Sequence, residues 1–197
     1  MNKFRNKYRN SSARASFWDY GWNAAYFVTI CTKNRAFWFG DVVNGRVELS
    51  AIGHIANSCW HEIPNHFPFV KLGAHIVMPN HIHGIVIIDK PEGGESNDGG
   101  ADVGTQDFAS LRPYKPPQDH PKPKNQFGPQ SKNLASIIRG FKIGVTKDGL
   151  KIDPDFAWQP RYHDHIIRNK PSYHRISRYI LNNPENWDRD KLNVNNQ

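Results

Sequence analysis

Apolar residues along the chain follow two spacings, one typical of strands and one typical of helices. Four runs are rich in β-branched and aromatic residues and predict core strands: 25–32, 70–78, 81–88 and 162–168. The centre of the third run is apolar on both faces, which indicates a strand that lies well inside a sheet. Residues 41–49 predict a separate hairpin around Asn44-Gly45.

Helical spacing occurs in three places. After the N-cap residue Ser50, apolar residues recur every three or four positions until Pro64, which we expect to end the helix. A second helix is predicted to begin at Asn133 and to carry its apolar residues on one face. A third is predicted at 171–183, with Pro171 in its first turn.

The predicted core elements follow the order strand, helix, strand, strand, helix, strand and a last helix. Two successive strand–helix–strand units are the pattern of a ferredoxin-like fold. The sequence therefore predicts the α+β class: a ferredoxin-like antiparallel sheet with two helices on one face, plus a C-terminal helix. The hairpin at 41–49 is an addition to that unit.

Composition divides the chain into four kinds of segment. Residues 1–20 are basic and predict an N-terminal arm, 21–187 form one domain, and 188–197 are a polar tail. Within the domain, 89–132 contain seven of the fourteen prolines and have almost no apolar periodicity. That composition predicts a flexible insertion outside the core.

The overall charge points to a polyanionic partner. The chain has 197 residues and 38% hydrophobic content, which is enough to bury a core, and its net charge is +8. Nucleic acid is the commonest polyanion that a basic domain binds. The polar first 16 residues contain no signal peptide, and no apolar run approaches membrane-spanning length. We therefore expect a cytoplasmic protein without a membrane partner.

Two histidines on the third predicted strand form a candidate metal site. His81 and His83 are two positions apart, so their side chains share a face, with Cα atoms about 6.6 Å apart. Two imidazoles at that spacing can converge on one ion, while Ile82 anchors the strand from the opposite face. Two exposed histidines on a sheet are the alternative interpretation. His163 and His165 form a competing pair, but a charged residue separates them, so we favour the first pair.

The last predicted helix brings two more polar side chains together. Tyr179 and Asn183 are four residues apart and are neighbours on one helical face. That face borders an apolar stripe of Tyr173, Ile176 and Ile180, which should pack on the sheet. A tyrosine hydroxyl there can face a cleft, and an Asn carbonyl oxygen can complete a metal site. A packing aromatic with a solvated hydroxyl is the alternative.

Three segments together resemble the single-tyrosine transposases that carry a His-hydrophobic-His (HUH) motif. They are VMPNHIHGIVII at 77–88, WQPRYHDHIIRN at 158–169 and RYILNNPENW at 178–187. Within that superfamily, the chain is most similar to the REP-associated tyrosine transposases and their small insertion-sequence relatives. The resemblance extends from about residue 26 to 187, with the insertion outside it.

The resemblance implies a site and a reaction. It assigns Tyr179 as the nucleophile and His81, His83 and Asn183 as ligands of Mg²⁺ or Mn²⁺. The implied activity is a transposase that cuts single-stranded DNA near hairpins, keeps the 5′-phosphate on the tyrosine and transfers it to a new 3′-OH. Basic charge makes Arg139 and Lys142 on the second helix candidate DNA contacts, with solvated helix charges as the alternative. Arg161 and His165 lie in a motif that the family shares and are further candidates for DNA binding.

Alternatives within and outside this family stay open. A rolling-circle replication nickase would share the histidine pair and the tyrosine. A catalytically inert, domesticated DNA-binding regulator would share only the fold, and a metal hydrolase would use water in place of Tyr179. The resemblance is compatible with a monomer and with a homodimer, because both occur in the family.

Overall fold

A computed structural model describes residues 18–91 and 131–194, together with two short N-terminal strands. These strands are β1 (Lys3–Phe4) and β2 (Lys7–Tyr8), which pair antiparallel. The other residues of 1–17, most of the predicted insertion at 89–132, and 195–197 lie outside the described residues. The expected N-terminal arm and the expected flexibility of the insertion therefore stay predictions.

Six further strands make up the rest of the β-structure. They are β3 (Ala24–Cys31), β4 (Gly40–Val43), β5 (Arg46–Leu49), β6 (Val70–Met78), β7 (His81–Ile88) and β8 (His163–Ile167). Strands β4 and β5 form the hairpin expected around Asn44-Gly45. The other four pair antiparallel in the order β6-β7-β3-β8, so that β7 is an inner strand, as its two apolar faces predict.

The helices begin close to the predicted residues. They are α1 (Ala51–His61), α2 (Ile63–His66), α3 (Leu134–Gly149) and α4 (Lys170–Leu181), with 3₁₀ turns at Lys33–Arg35 and Pro184–Arg189. The expectation that Pro64 ends the first helix was wrong: α1 ends at His61, and Pro64 lies in the first turn of α2, where its missing N–H is tolerated. Within the described residues, no helix is long and apolar enough to cross a membrane.

The sheet carries helices on both of its faces. Helices α1 and α3 cover one face, where residues such as Trp60 and Phe141 form the main hydrophobic core with Val28 and Ile82. This connectivity and strand order is the ferredoxin-like arrangement that the sequence predicts. Helix α4 covers part of the opposite face, where Ile180 packs in a smaller apolar cluster.

Strand β7 distributes its side chains between these two faces. Ile82 belongs to the main core, whereas Ile85 belongs to the cluster beneath α4. Gly84 faces the main core directly under the ring of Trp60, where a Cβ would clash with the indole. This alternation directs His81 and His83 toward the face that carries α4.

Candidate active site

The predicted histidine pair lies on the α4 face of β7. The ring centroids of His81 and His83 are 4.5 Å apart, and both side chains are buried. Ile82, between them, is fully buried in the main core on the other face of the sheet. The competing His163 and His165 are exposed on the edge strand β8, opposite Thr29 and Phe27 of β3. The geometry therefore favours the pair on β7.

The hydrogen bonds of Asn80 determine which ring nitrogen of His81 carries the proton. Its side-chain Nδ2 donates to the backbone carbonyls of Arg35, at 3.2 Å, and Leu192, at 2.8 Å. Its Oδ1 must therefore accept the third hydrogen bond, which joins it to Nδ1 of His81 at 2.8 Å. The proton of a neutral His81 lies on Nδ1, and Nε2 presents a lone pair. Nε2 is buried and has no hydrogen-bond partner within the described part of the chain.

His83 is held between β3 and α4. Its Nδ1 lies 2.9 Å from the hydroxyl of Thr29, and its Nε2 lies 3.3 Å from the hydroxyl of Tyr179. The ring of Phe27 packs against both, with centroid distances of 5.2 Å to His83 and 6.2 Å to Tyr179. The packing fixes the imidazole, and its Nε2 faces the predicted nucleophile.

Both imidazoles are neutral at pH 7. Burial, reinforced by the charge of His163, lowers the pKa of His83 to about 4. Burial, together with His83 and Arg35, holds the pKa of His81 well below its usual range. Neutral imidazoles are the form that binds a metal ion.

Asp190 adds a carboxylate to the histidine pair. One ligand atom from each of His81, His83 and Asp190 lies within 4.8 Å of the others. Oδ1 of Asp190 accepts the backbone N–H of Leu192 at 2.7 Å. Oδ2 is buried and has no partner among the described residues. A buried carboxylate oxygen and a buried imidazole nitrogen that lack donors are suited to a cation, because burial without a partner is costly.

The sequence analysis missed Asp190, which it assigned to the polar tail at 188–197. Long-range contacts place the residue. The guanidinium of Arg35 donates to the carbonyl of Lys191 at 3.0 Å, and Trp187 packs near His81 with ring centroids 6.0 Å apart. No local spacing in the C-terminal segment marks Asp190 as a ligand. Sequence patterns offered no signal for it beyond the presence of an acidic residue.

Tyr179 and Asn183 lie beside this cluster. Tyr179 is half-exposed. Its partial burial and, to a smaller extent, the charge of Asp190 raise the pKa of the phenol. A side-chain hydrogen bond from Asn183 acts in the opposite direction. Asn183 is buried, and its Oδ1 has no partner among the described residues. Its role as a metal ligand stays a prediction that this free oxygen favours.

The predicted DNA-binding residues are divided between the two faces of the sheet. Arg139 is exposed on α3, across the sheet from α4. Lys142, also on α3, is half-buried and donates to the carbonyls of Gln159, at 2.9 Å, and Arg161, at 2.7 Å. Its burial lowers the pKa of the amine to about 8. Lys142 therefore fixes the loop before β8, whereas His165 lies on the α4 face, in register with Phe27.

Comparison with known proteins places the chain among relatives. No family model matches it. An uncharacterized protein of Haemophilus influenzae is 36% identical over 184 residues, which cover 93% of this chain and 92% of the relative. The structure of a REP-associated tyrosine transposase bound to a REP hairpin superposes with a TM-score of 0.55 at 18% identity, over 92% of this chain and 77% of that one.

The structural match confirms, at the level of the fold, the relationship that the three sequence motifs indicated. At 18% identity it defines architecture, and the relative of higher identity defines the family. The chain belongs to one family with the Haemophilus influenzae protein, and its fold is that of a REP-associated tyrosine transposase.

Proposed function

We propose that the protein is a transposase-like, metal-dependent endonuclease and strand-transferase that acts on single-stranded DNA near hairpins. The observation that carries this proposal is the position of the Tyr179 hydroxyl, 3.3 Å from Nε2 of His83. That imidazole belongs to a cluster with His81 and Asp190, in which both histidines are buried and Asp190 is partly buried. A nucleophile beside a candidate cation site is what phosphodiester transfer requires.

The donor atoms of the cluster fit a divalent cation. Two neutral imidazoles and one carboxylate, with the predicted amide oxygen of Asn183, are a mixed nitrogen and oxygen set that suits Mn²⁺ and accepts Mg²⁺. When bound, such an ion would polarise the scissile phosphate and lower the pKa of a nearby phenol. Asn80 and Thr29 hold the two imidazoles in place for that purpose.

Tyr179 supplies the nucleophile. Its oxygen forms a bond to the scissile phosphorus, the bond from phosphorus to the 3′ oxygen breaks, and the 5′-phosphate stays on the tyrosine. The phenol proton leaves to solvent, to which Tyr179 is half-exposed, and the departing 3′ oxygen takes a proton from solvent. The hydrogen bond from Asn183 stabilises the phenolate. A 3′-OH of another strand can reverse the step, which joins the strands.

Two observations support a single-stranded hairpin substrate. The chain has a net charge of +8, which suits a polyanion. The REP-associated tyrosine transposase of the same fold is bound to a REP hairpin. We extend that substrate class to this protein, acting as a monomer or as a homodimer.

The direct test is a search for covalent capture of DNA. Labelled single-stranded hairpins from the DNA that flanks the gene would be incubated with the full chain and Mn²⁺ or Mg²⁺, then resolved on denaturing gels. We expect an adduct that EDTA prevents, and mass spectrometry of its digest should place the nucleotide on Tyr179. Adding an unlabelled strand with a free 3′-OH should release the label as a joined product.

Three other results would each support a different function. Nicking without an adduct favours a metal hydrolase that uses water. An adduct that joins no second strand favours a nickase. Tight hairpin binding without nicking or adduct in either metal favours an inert regulator.

A further inference from the structure

A groove borders Tyr179 along the exposed face of α4. It has a volume of about 470 Å³, and its walls include Arg175, Arg178, Asn182 and Asn186. We call it the α4 groove. Tyr179 also lines it, so the groove opens directly onto the predicted nucleophile.

The groove follows the helix because of the spacing of these residues. Arg175, Arg178 and Asn182 are three and four positions apart, so they lie in one line along the helical surface. At the rise of an α-helix, the line from Arg175 to Asn182 is about 10 Å long. Asn186 extends it past the end of α4, where its amide donates to the carbonyl of Asn182 at 2.8 Å.

The groove is positively charged and has no acidic residue in its wall. Within the described residues, neither Arg175 nor Arg178 has an ion pair, and Arg175 makes one hydrogen bond, to the hydroxyl of Ser172 at 3.2 Å. By contrast, the partly exposed Lys71 and the exposed Lys151 are each paired with an aspartate. Two guanidinium groups are therefore available for an anion that lies along α4.

We propose that the α4 groove binds the single-stranded segment that adjoins the scissile phosphate, an inference that rests on the proposed function. Arg175 and Arg178 contact phosphates of this segment, since guanidinium groups bind phosphate oxygens in bidentate pairs. Asn182 and Asn186 offer donors and acceptors to base edges. An elongated groove of this length fits a chain of phosphates better than one free phosphate ion.

Binding can be measured without cleavage in the full-chain Tyr179→Phe protein. Fluorescence anisotropy would compare three labelled probes: a hairpin with no flank, one with a 5′ single-stranded flank and one with a 3′ flank. We expect Arg175→Ala and Arg178→Ala each to weaken binding of one flanked hairpin about tenfold, while binding of the hairpin without a flank stays within about twofold. Each substitution should also reduce the salt slope by about one.

Two further variants serve as controls. Lys151→Ala removes the same charge from an exposed residue beyond the end of α3 and should leave all three affinities within about twofold. Arg178→Lys keeps a point charge and should restore part of the lost affinity. Equal losses for flanked and unflanked hairpins, or no loss in either arginine variant, would overturn the proposal.

The outcome can be separated from a failure of the proposed function. If the wild-type protein forms no adduct but the arginine variants selectively lose binding of the flanked hairpin, the catalytic proposal fails and the assignment of the groove stands. If the adduct forms and both arginine variants bind the flank normally, the assignment of the groove alone is wrong.

Discussion

The hydroxyl of Tyr179 lies 3.3 Å from Nε2 of His83, although 96 positions separate the two residues. Because Nδ1 of His83 contacts the hydroxyl of Thr29, we infer that Nε2 is the atom that His83 would offer to a cation. A cation at that position would therefore lie next to the attacking oxygen. Burial and the charge of Asp190 raise the pKa of the phenol, so under the proposed function a bound cation would be needed to favour the phenolate.

Replacement of Tyr179 by Phe tests the nucleophile. The side chain is half-exposed, and its hydroxyl contacts only His83, at 3.3 Å, and the side chain of Asn183 within the described residues, so the free energy of unfolding should change by no more than about 1 kcal/mol. We expect normal hairpin binding, no covalent adduct and no nicked product. Denaturing gels and urea unfolding would measure both effects.

Tyr173→Phe is the matched control on the same helix. Tyr173 is buried in the apolar cluster beneath α4 and does not line the groove. We expect this variant to form the adduct, with at most a modest loss of stability. If neither phenylalanine variant formed the adduct, the loss would be explained by altered packing of α4, and the assignment of Tyr179 as the nucleophile would fail.

Binding of Mn²⁺ tests the ligand set. Asp190→Asn keeps the shape of the side chain and removes its charge, so the affinity measured by calorimetry should fall at least about tenfold. His81→Ala and His83→Ala should abolish binding and cleavage while the fold persists, and the exposed His163 should matter less. If Asp190→Asn binds Mn²⁺ as tightly as wild type, Asp190 is not a ligand. A parallel Asn183→Ala variant tests the predicted fourth ligand.

Local patterns were sufficient to predict the fold and to predict that His81, His83 and Tyr179 lie close together, whereas their roles stay predictions. The apolar faces of β7 predicted an inner strand, and its alternation placed His81 and His83 together on one face. The stripe on α4 predicted which side of the helix meets the sheet, because Ile180 and Tyr173 are buried there. Each of these inferences depends on residues within a few positions of one another.

Asp190 could not be predicted in that way. Its position depends on Asn80, which donates to the carbonyl of Leu192 across 112 positions of sequence, and on Arg35, which donates to Lys191 across 156. Neither contact leaves a periodic signal in the chain. Pro64 was wrongly interpreted for a different reason. A proline is compatible both with the end of one helix and with the first turn of the next, so the local sequence did not distinguish the two.

His75 should make the protein less stable in mild acid. It stacks on Trp60, and burial, reinforced by the charge of His61, lowers its pKa to about 4. A folded-state pKa below the unfolded value of about 6.5 means that the unfolded chain binds the proton more tightly. The contribution of His75 to stability is therefore complete above pH 6.5 and is lost as the pH falls toward 4.

Urea unfolding in EDTA would measure this effect as a difference between proteins. His75→Gln can keep the contact with Asn57, which lies 3.1 Å from Nε2 of His75, and it cannot be protonated. We expect the free energy of unfolding to fall less between pH 6.5 and 4 in the variant than in the wild type. If the free energy of unfolding fell equally between pH 6.5 and 4 in both proteins, protonation of His75 would not be the cause of the lost stability.

Removal of residues 92–130 tests whether the predicted insertion is outside the core. The two flanking segments are anchored at the same turn: the amine of Lys90 donates to the carbonyl of Gly21, and the backbone of Leu134 donates to that of Tyr20. A short Gly/Ser linker can therefore connect them. We expect cooperative thermal unfolding and an intact adduct reaction. Loss of cooperativity would make the insertion part of the core, whereas a change in DNA preference alone would not.

Asn80→Leu tests whether this buried amide positions the site. The substitution removes three hydrogen bonds at once, to His81 and to the carbonyls of Arg35 and Leu192. We expect a loss of about 2–4 kcal/mol in the free energy of unfolding, because buried groups lose their partners. We also expect affinity for Mn²⁺ to fall about 10- to 100-fold, because both His81 and the segment that holds Asp190 lose their support.

Asn57→Leu provides a matched substitution on the other face of the sheet. It removes the contact of Asn57 with His75, a second Asn–His pair that lies away from the metal cluster. This variant should lose stability and keep the affinity for Mn²⁺ of the wild type, both measured at a temperature where the folded state predominates. If Asn80→Leu behaved in the same way, Asn80 would support the fold without positioning the metal ligands. A selective loss of Mn²⁺ affinity in Asn80→Leu would instead show that the turn before β7 and the C-terminal segment act together on His81 and Asp190.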